Sequence, residues 1–215
     1  MIDKVTPCHI IYIYYDKRGG ESMPTSTYYN LSADKKERIE KAVKKEFARV
    51  PLIDMSVKNI VTDAKIARGS FYQYFETRED LINYMLEKEF EKEEAKFLEL
   101  LSQTNRDIFK ASYIYLTNIL ETQEKNSAYY INIFLYLRET KIFPLKNINL
   151  KDIDKYIDMQ SINITSMDEV YATIRIISII TFSKKMDILN KKVTKEKGLS
   201  EYRQELEIIK KGLLR

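Results

Sequence analysis

Ser56-Val-Lys-Asn-Ile-Val-Thr-Asp-Ala-Lys-Ile-Ala-Arg-Gly-Ser-Phe-Tyr-Gln-Tyr-Phe75 is the stretch on which the reading of this chain turns. Val57, Ile60, Val61, Ala64, Ile66, Phe71 and Phe75 can join in one buried seam. Lys58, Arg68, Ser70, Tyr72 and Gln73 are then left facing out. A tight break at Lys65–Ile66 divides the stretch into two short helices, the first opening at Ser56, whose hydroxyl can cap it. Two short helices held at a fixed angle, the second offering polar and aromatic groups to a groove, are what a helix-turn-helix requires. Gly69 lets a backbone come close to a surface. From Val57 to Tyr74 three cations (Lys58, Lys65, Arg68) stand against Asp63, a net of +2.

The flanks extend the pattern. A helix is expected over Ala33–Arg49, capped by Ser32, with Ile39, Ala42, Val43 and Phe47 at helical spacing and Pro51 ending it. A third short helix covers about Ala67–Phe75. Thr77 can cap a long helix whose face carries Leu81, Ile82, Met85, Leu86, Phe90, Phe97, Leu98 and Leu101. Helical patterns continue over Arg106–Gln123, Ser127–Glu139, Met167–Val193 and Glu201–Leu213. A break falls at Phe143-Pro144, a short piece near Leu150–Ile157, and a last turn at Gly198 and Ser200. Only five Gly and four Pro occur in 215 residues, too few punctuators for a strand-and-turn fold. The expectation is all-α, with a three-helix head over 31–77 and a larger helical domain over 78–215.

Ile60–Phe75, followed by Glu76-Thr77-Arg78-Glu79-Asp80-Leu81, resembles the DNA-binding signature of TetR-family regulators, and Lys35–Arg49 with Phe47 resembles that family's first helix. The likeness covers roughly Ser32–Glu87 and rests on the Gly-Ser-Phe-Tyr-x-x-Phe run in its order and spacing. Two positions depart from the family pattern. Lys65 stands where glycine is usual, at a strain of about 1 kcal/mol if φ is positive there. Ala67 opens the reading helix where Ser or Thr is usual, losing a cap worth about 1 kcal/mol.

The resemblance implies roles. Arg68 and Gln73 read base edges, since guanidinium and amide groups pair bidentately with purines. Tyr72 and Ser70 donate to phosphates, Gly69 permits close backbone approach, and Ala67 sits at a contact position without the hydroxyl that would bind one phosphate. Lys58, the amide end at Ser56 and Arg78 supply further phosphate contacts. It implies a homodimer on double-stranded operator DNA, and a larger domain that binds a small effector. The apolar faces of Val170, Ile174, Ile177, Ile180 and Thr181, and of Tyr202, Leu206, Ile209 and Leu213, could pair with a second copy as a four-helix bundle. Among many aromatics, Tyr113, Phe134 and Tyr171 are candidate linings of a pocket for an apolar, aromatic or cationic effector, against ordinary core packing as the plainer account. Effector binding would alter the spacing of the two heads, with the long fourth helix as lever. The expected function is a repressor released by its effector; the alternative is a DNA-organising or protein-docking factor without one.

Composition narrows the classes. A net charge of +4 and a pI near 8.8 permit a polyanion partner without demanding one. The single cysteine, Cys8, forms no internal disulfide and suits a reducing compartment, and no apolar run reaches membrane-spanning length, so a cytoplasmic protein is expected. The sole His9 allows no Ser/His/acid set, and neither a metal-ligand spacing nor a Gly-rich phosphate loop is present. No catalysis, cofactor or metal is expected. Residues 1–30 read as an extension. Arg18-Gly19-Gly20-Glu21 before Met23 can be encoded by a ribosome-binding sequence, so Met23 is expected to be the start; a real flexible arm is the alternative.

Overall fold

Ser32 takes the Lys35 N–H on its hydroxyl (3.4 Å), which starts helix α2 (Ala33–Arg49) where the sequence places it. The computed structural model describes residues 24–140, 157–158 and 166–213. Met1–Ser22 with Cys8 and His9, Phe143-Pro144 and nearly all of the Leu150–Ile157 piece lie outside the described residues. Among the described residues all regular structure is helical. Besides α2 these are α1 (Ser26–Tyr29), α3 (Val57–Asp63), α4 (Arg68–Tyr74), α5 (Arg78–Gln103), α6 (Ile108–Gln123), α7 (Ser127–Glu139), α8 (Met167–Leu189) and α9 (Lys195–Leu213). Among the described residues no helix is long and apolar enough to cross a membrane.

Contacts divide the described chain into two compact units. The first holds residues 24–90 and 126–140. Ile39, Val43 and Phe47 of α2, Ile60 and Ala64, Phe71 and Phe75, and Leu81, Ile82 and Met85 of α5 are all buried in its core. Burying such side chains stabilises by about 1.5–3 kcal/mol each. Two segments expected elsewhere from the sequence join this unit. Residues 24–30, expected in the extension, are one: Tyr28 is fully buried among Tyr74, Phe75 and Tyr84. Helix α7, expected in the larger domain, is the other: it lies along α2. Tyr129 stacks on Phe47 with ring centroids 6.0 Å apart, and the Asn132 side chain donates to the Phe47 carbonyl at 2.8 Å. The hydroxyls of Tyr129 and Tyr130 reach the buried Glu89 carboxylate at 3.3 and 3.5 Å, and Lys44 stands 3.7 Å from it. A buried carboxylate needs donors of this kind. Such pairings between distant positions leave no trace in local periodicity.

The second unit holds residues 91–125, 157–158 and 166–213, with α6, α8, α9 and the end of α5. Helix α8 opens with a capping box: Glu169 N–H donates to the Ser166 hydroxyl and Ser166 N–H to the Glu169 carboxylate. Lys184 on α8 bridges Glu201 (2.9 Å) and Glu205 (3.0 Å) on α9, and the Thr181 and Tyr202 hydroxyls hydrogen-bond in the buried seam between the same helices. Two expectations are corrected here. Gly198 and Ser200 do not mark a turn; both lie within α9. Gly198 is there because a Cβ would sit 2.6 Å from the Cγ1 and Cδ1 of Ile188. The faces expected to meet a second copy are largely spent within the unit: Val170, Ile174, Ile177, Thr181, Tyr202 and Leu206 are buried. Among the described residues of these helices, Ile176, Ile179 and Ile208 are large apolar side chains left exposed.

Candidate nucleic-acid interface

Two helices of seven residues, too short to persist alone, are fixed here by their ends and their seam. Ile60, Val61, Ala64, Phe71 and Phe75 are buried as the spacing implies, while Val57 and Ile66 are half-buried. At the start of α3 the Ser56 hydroxyl accepts the Asn59 N–H at 3.5 Å. At its end Lys65 N–H donates to Thr62 O (3.2 Å) and Ile66 N–H to Val61 O (3.0 Å). That is a Schellman motif, and its left-handed residue is Lys65 at φ 54°. Lysine thus occupies the positive-φ position at which glycine is usual. Arg38 of α2 donates to Ala64 O at 2.8 Å, a cation meeting a carbonyl left over at the helix end. Ala67 precedes α4 without a side-chain cap.

Glu46 anchors this geometry and is absent from the site residues read in the sequence. Its carboxylate is buried and holds Arg49 in two bonds (2.6 and 2.8 Å), the Ser56 N–H (2.9 Å) and the Asn59 amide (3.3 Å). The Arg49 guanidinium, against the opposing push of burial, holds the Glu46 carboxyl below the usual carboxylate range, helped by the Ser56 N–H and Asn59. One signal could have revealed it: Ile39, Ala42, Val43, Glu46 and Phe47 fall on one helical stripe, so an acid stands at a core position.

The residues read as DNA contacts separate into two groups. Lys58, Ala67, Arg68, Gly69, Tyr72 and Gln73 are exposed and Ser70 is half-exposed. Tyr72 keeps 49% of its surface open while its ring edge meets Phe71. A Cβ on Gly69 would meet nothing within 4 Å, so the backbone there faces open space. Two others are already engaged. The Ser56 N–H belongs to Glu46, and Arg78 donates to Ile53 O (2.8 Å) and pairs with Glu79 (2.7 Å). Arg78 does open α5 as expected: Thr77 and Asp80 cap the helix reciprocally, Asp80 N–H to the Thr77 hydroxyl at 3.1 Å and Thr77 N–H to the Asp80 carboxylate at 2.8 Å.

The expected pocket residues do not share a unit. Tyr113 and Tyr171 lie in the second, Phe134 in the first. Tyr113 stacks on Tyr202 and is covered by the Arg203 guanidinium 4.5 Å above its ring. Within the second unit a cleft of about 230 Å³ lies between α5 and α6, lined by Lys96, Leu100, Gln103, Tyr115, Ile119 and Thr122 among others. Among the described residues no group of His, Cys, Asp and Glu is placed to hold a metal.

Residues 39–85 match the family model of bacterial regulatory proteins of the TetR family, and residues 107–213 match the C-terminal domain of tetracyclin repressor-like proteins. No curated protein matches the chain. Among solved structures, the fold is shared with a TetR transcription regulator from Haloarcula marismortui, at 14% identity and a TM-score of 0.59, covering 86% of this chain and 100% of that one. It is also shared with the dihydroxyacetone kinase operon activator DhaS, at 22% identity and a TM-score of 0.53, again covering 86% and 100%. One family model spans the helix-turn-helix and the other the helices that follow, and the chain belongs to the TetR family of bacterial transcriptional regulators, which bind DNA through such a head.

Proposed function

We propose that this regulator works as a homodimeric repressor that leaves its operator when a small molecule binds the second unit. The observation that carries the reading is the α4 surface, where Arg68, Tyr72 and Gln73 stand exposed on a helix whose other side, Phe71 and Tyr74, is buried. A side chain that reads a base edge must be free before DNA arrives, and a reading helix must be rigidly backed. In this reading Arg68 and Gln73 contact bases, while Tyr72, Ser70 and Lys58 contact phosphates and Gly69 admits the backbone. Arg78 and the Ser56 amide end take a smaller part, because their donors already have partners.

Two copies pair through the exposed Ile176, Ile179 and Ile208 of α8 and α9, so that two heads about 34 Å apart read a palindrome. The effector occupies the α5–α6 cleft or the neighbourhood of Tyr113 and Tyr171, whose rings suit an apolar, aromatic or cationic molecule. DhaS is an operon activator, so the direction of regulation is tested directly by transcription from the bound promoter with and without the protein.

Selection of duplexes from a random pool by the purified protein, followed by a gel shift, tests the whole reading. A palindromic sequence is expected to emerge, and Tyr72→Ala is expected to weaken its binding at least tenfold at constant salt with the helical content unchanged. Undiminished affinity of Tyr72→Ala removes that assignment; failure to enrich any sequence removes the regulator.

A further inference from the structure

The last carbonyls of a helix have no partner within it. In the seven-residue α4 two of them are taken up by the chain that precedes α2. Thr25 N–H donates to Tyr74 O at 3.1 Å, and the Thr25 hydroxyl donates to Gln73 O at 2.7 Å. Three residues on, Tyr28 lies at zero exposure with its ring 6.0 Å from Tyr74, 5.1 Å from Phe75 and 5.3 Å from Tyr84. The strap is held at its other end as well. Lys36 donates to Tyr29 O at 2.7 Å, and the Tyr28 hydroxyl stands 3.4 Å from Glu40, which pairs with Lys88 of α5.

From this we infer that Thr25 and Tyr28 are positioning residues for the recognition helix: they fix the C-terminal end of α4, and with it the aim of Gln73, while touching no DNA themselves. The inference rests on the regulator reading above. Thr25 binds the carbonyl of the very residue whose side chain is read as a base contact, so its hold is transmitted through one residue's backbone. The opposite end of α4 has no side-chain cap at Ala67. Sequence discrimination requires side chains held to about 0.5 Å, because bidentate hydrogen bonds weaken steeply when misaligned. Phosphate contacts are far more tolerant. Loss of the strap should therefore cost specific binding more than general binding.

Thr25 already holds the φ of a proline, −64°, with ψ 162°. Thr25→Pro removes both donors and keeps the carbonyl that receives the Tyr28 and Tyr29 N–H groups. Thr25→Ser keeps the amide and returns the hydroxyl. The probes are a duplex enriched from a random pool by the unaltered full-length protein and a scrambled duplex of equal length, at one salt concentration. Thr25→Pro is expected to bind the enriched duplex at least tenfold more weakly and the scrambled duplex within threefold of the parent, with Thr25→Ser within threefold on both. Hydrogen exchange of the amides at 71–75 should quicken at least tenfold in Thr25→Pro while α8 and α9 are unchanged. Parental binding by Thr25→Pro, equal losses on both duplexes, a Thr25→Ser as weak as Thr25→Pro, or unchanged exchange at 71–75 would each overturn the proposal. Should the unaltered protein enrich no sequence, the regulator reading fails by itself, and the exchange measurement still decides whether the strap holds α4.

Discussion

Replacing Lys65 by glycine should stabilise the protein, although it deletes a side chain and adds none. The Schellman motif that ends α3 places Lys65 at φ 54°, a region that costs a residue with a Cβ about 1–2 kcal/mol. Glycine is free of that cost. Against this stand about 0.5–1 kcal/mol for the looser unfolded chain and about 0.3 kcal/mol for losing a cation beside a helix C-terminus. The net expectation for Lys65→Gly is a gain of about 0.5 kcal/mol. Lys65→Ala is the sharper reference, because it removes the same charge and retains the strained backbone. Glycine should exceed alanine by about 0.5–1 kcal/mol, or roughly 1–4 °C in Tm for a chain of this size. Helix α8 ends in the same motif: Lys191 at φ 57°, its N–H on Ile188 O (3.0 Å), and Lys192 N–H on Asp187 O (2.9 Å). The Gly–Ala difference at Lys191, in the second unit, should have the same sign and size as that at Lys65 in the first. Calorimetry and urea unfolding at fixed salt measure both pairs. Glycine variants no more stable than their alanine counterparts at either site would refute the argument that these lysines sit in strained backbone.

Further outcomes follow from single contacts. Glu46→Ala should destabilise by about 2–3 kcal/mol in urea unfolding, because the Ser56 N–H and the Asn59 amide lose their shared acceptor. Since the native Glu46 carboxyl is held below its unfolded value, its contribution is complete above about pH 5 and is lost as pH falls through the depressed native value. The acid limb of the stability profile should be shallower in Glu46→Gln, and an unchanged limb would exclude the carboxylate as its source. Gly198→Ala gains about 1 kcal/mol of helix propensity yet should be net destabilising, because the new Cβ meets Ile188 at 2.6 Å. In an Ile188→Ala background the same change should stabilise, and a double-mutant cycle without that reversal would contradict the packing account.

The strongest legibility lay where local chemistry decides. Ser32 and Arg49 bound α2, and Ser127 and Glu139 bound α7, at the residues the sequence indicates, since caps, prolines and apolar spacing act within a turn or two. Lys65 was legible as an anomaly from the family pattern, and its φ bears that out. Less of the recognition head could be read: Lys58, Arg68, Tyr72 and Gln73 fall on the outside as spacing alone implies, but Ser56 and Arg78 turn out to spend donors on Glu46, Ile53 and Glu79.

What the sequence determined by itself was the all-helical class, the helix-turn-helix and its exposed side, because periodicity of 3.6 residues and helix-end chemistry are written into neighbouring positions. Tertiary structure alone decided that Glu46 organises the start of α3, that α7 belongs to the head unit through Phe47 and Glu89, that Thr25 and Tyr28 close the end of α4, and that Gly198 is a contact point instead of a turn. Each of these depends on which distant side chain fills a given space or takes a given donor. Hydrogen bonds and close packing between residues tens of positions apart are satisfied only after the chain has folded, so no local pattern announces them.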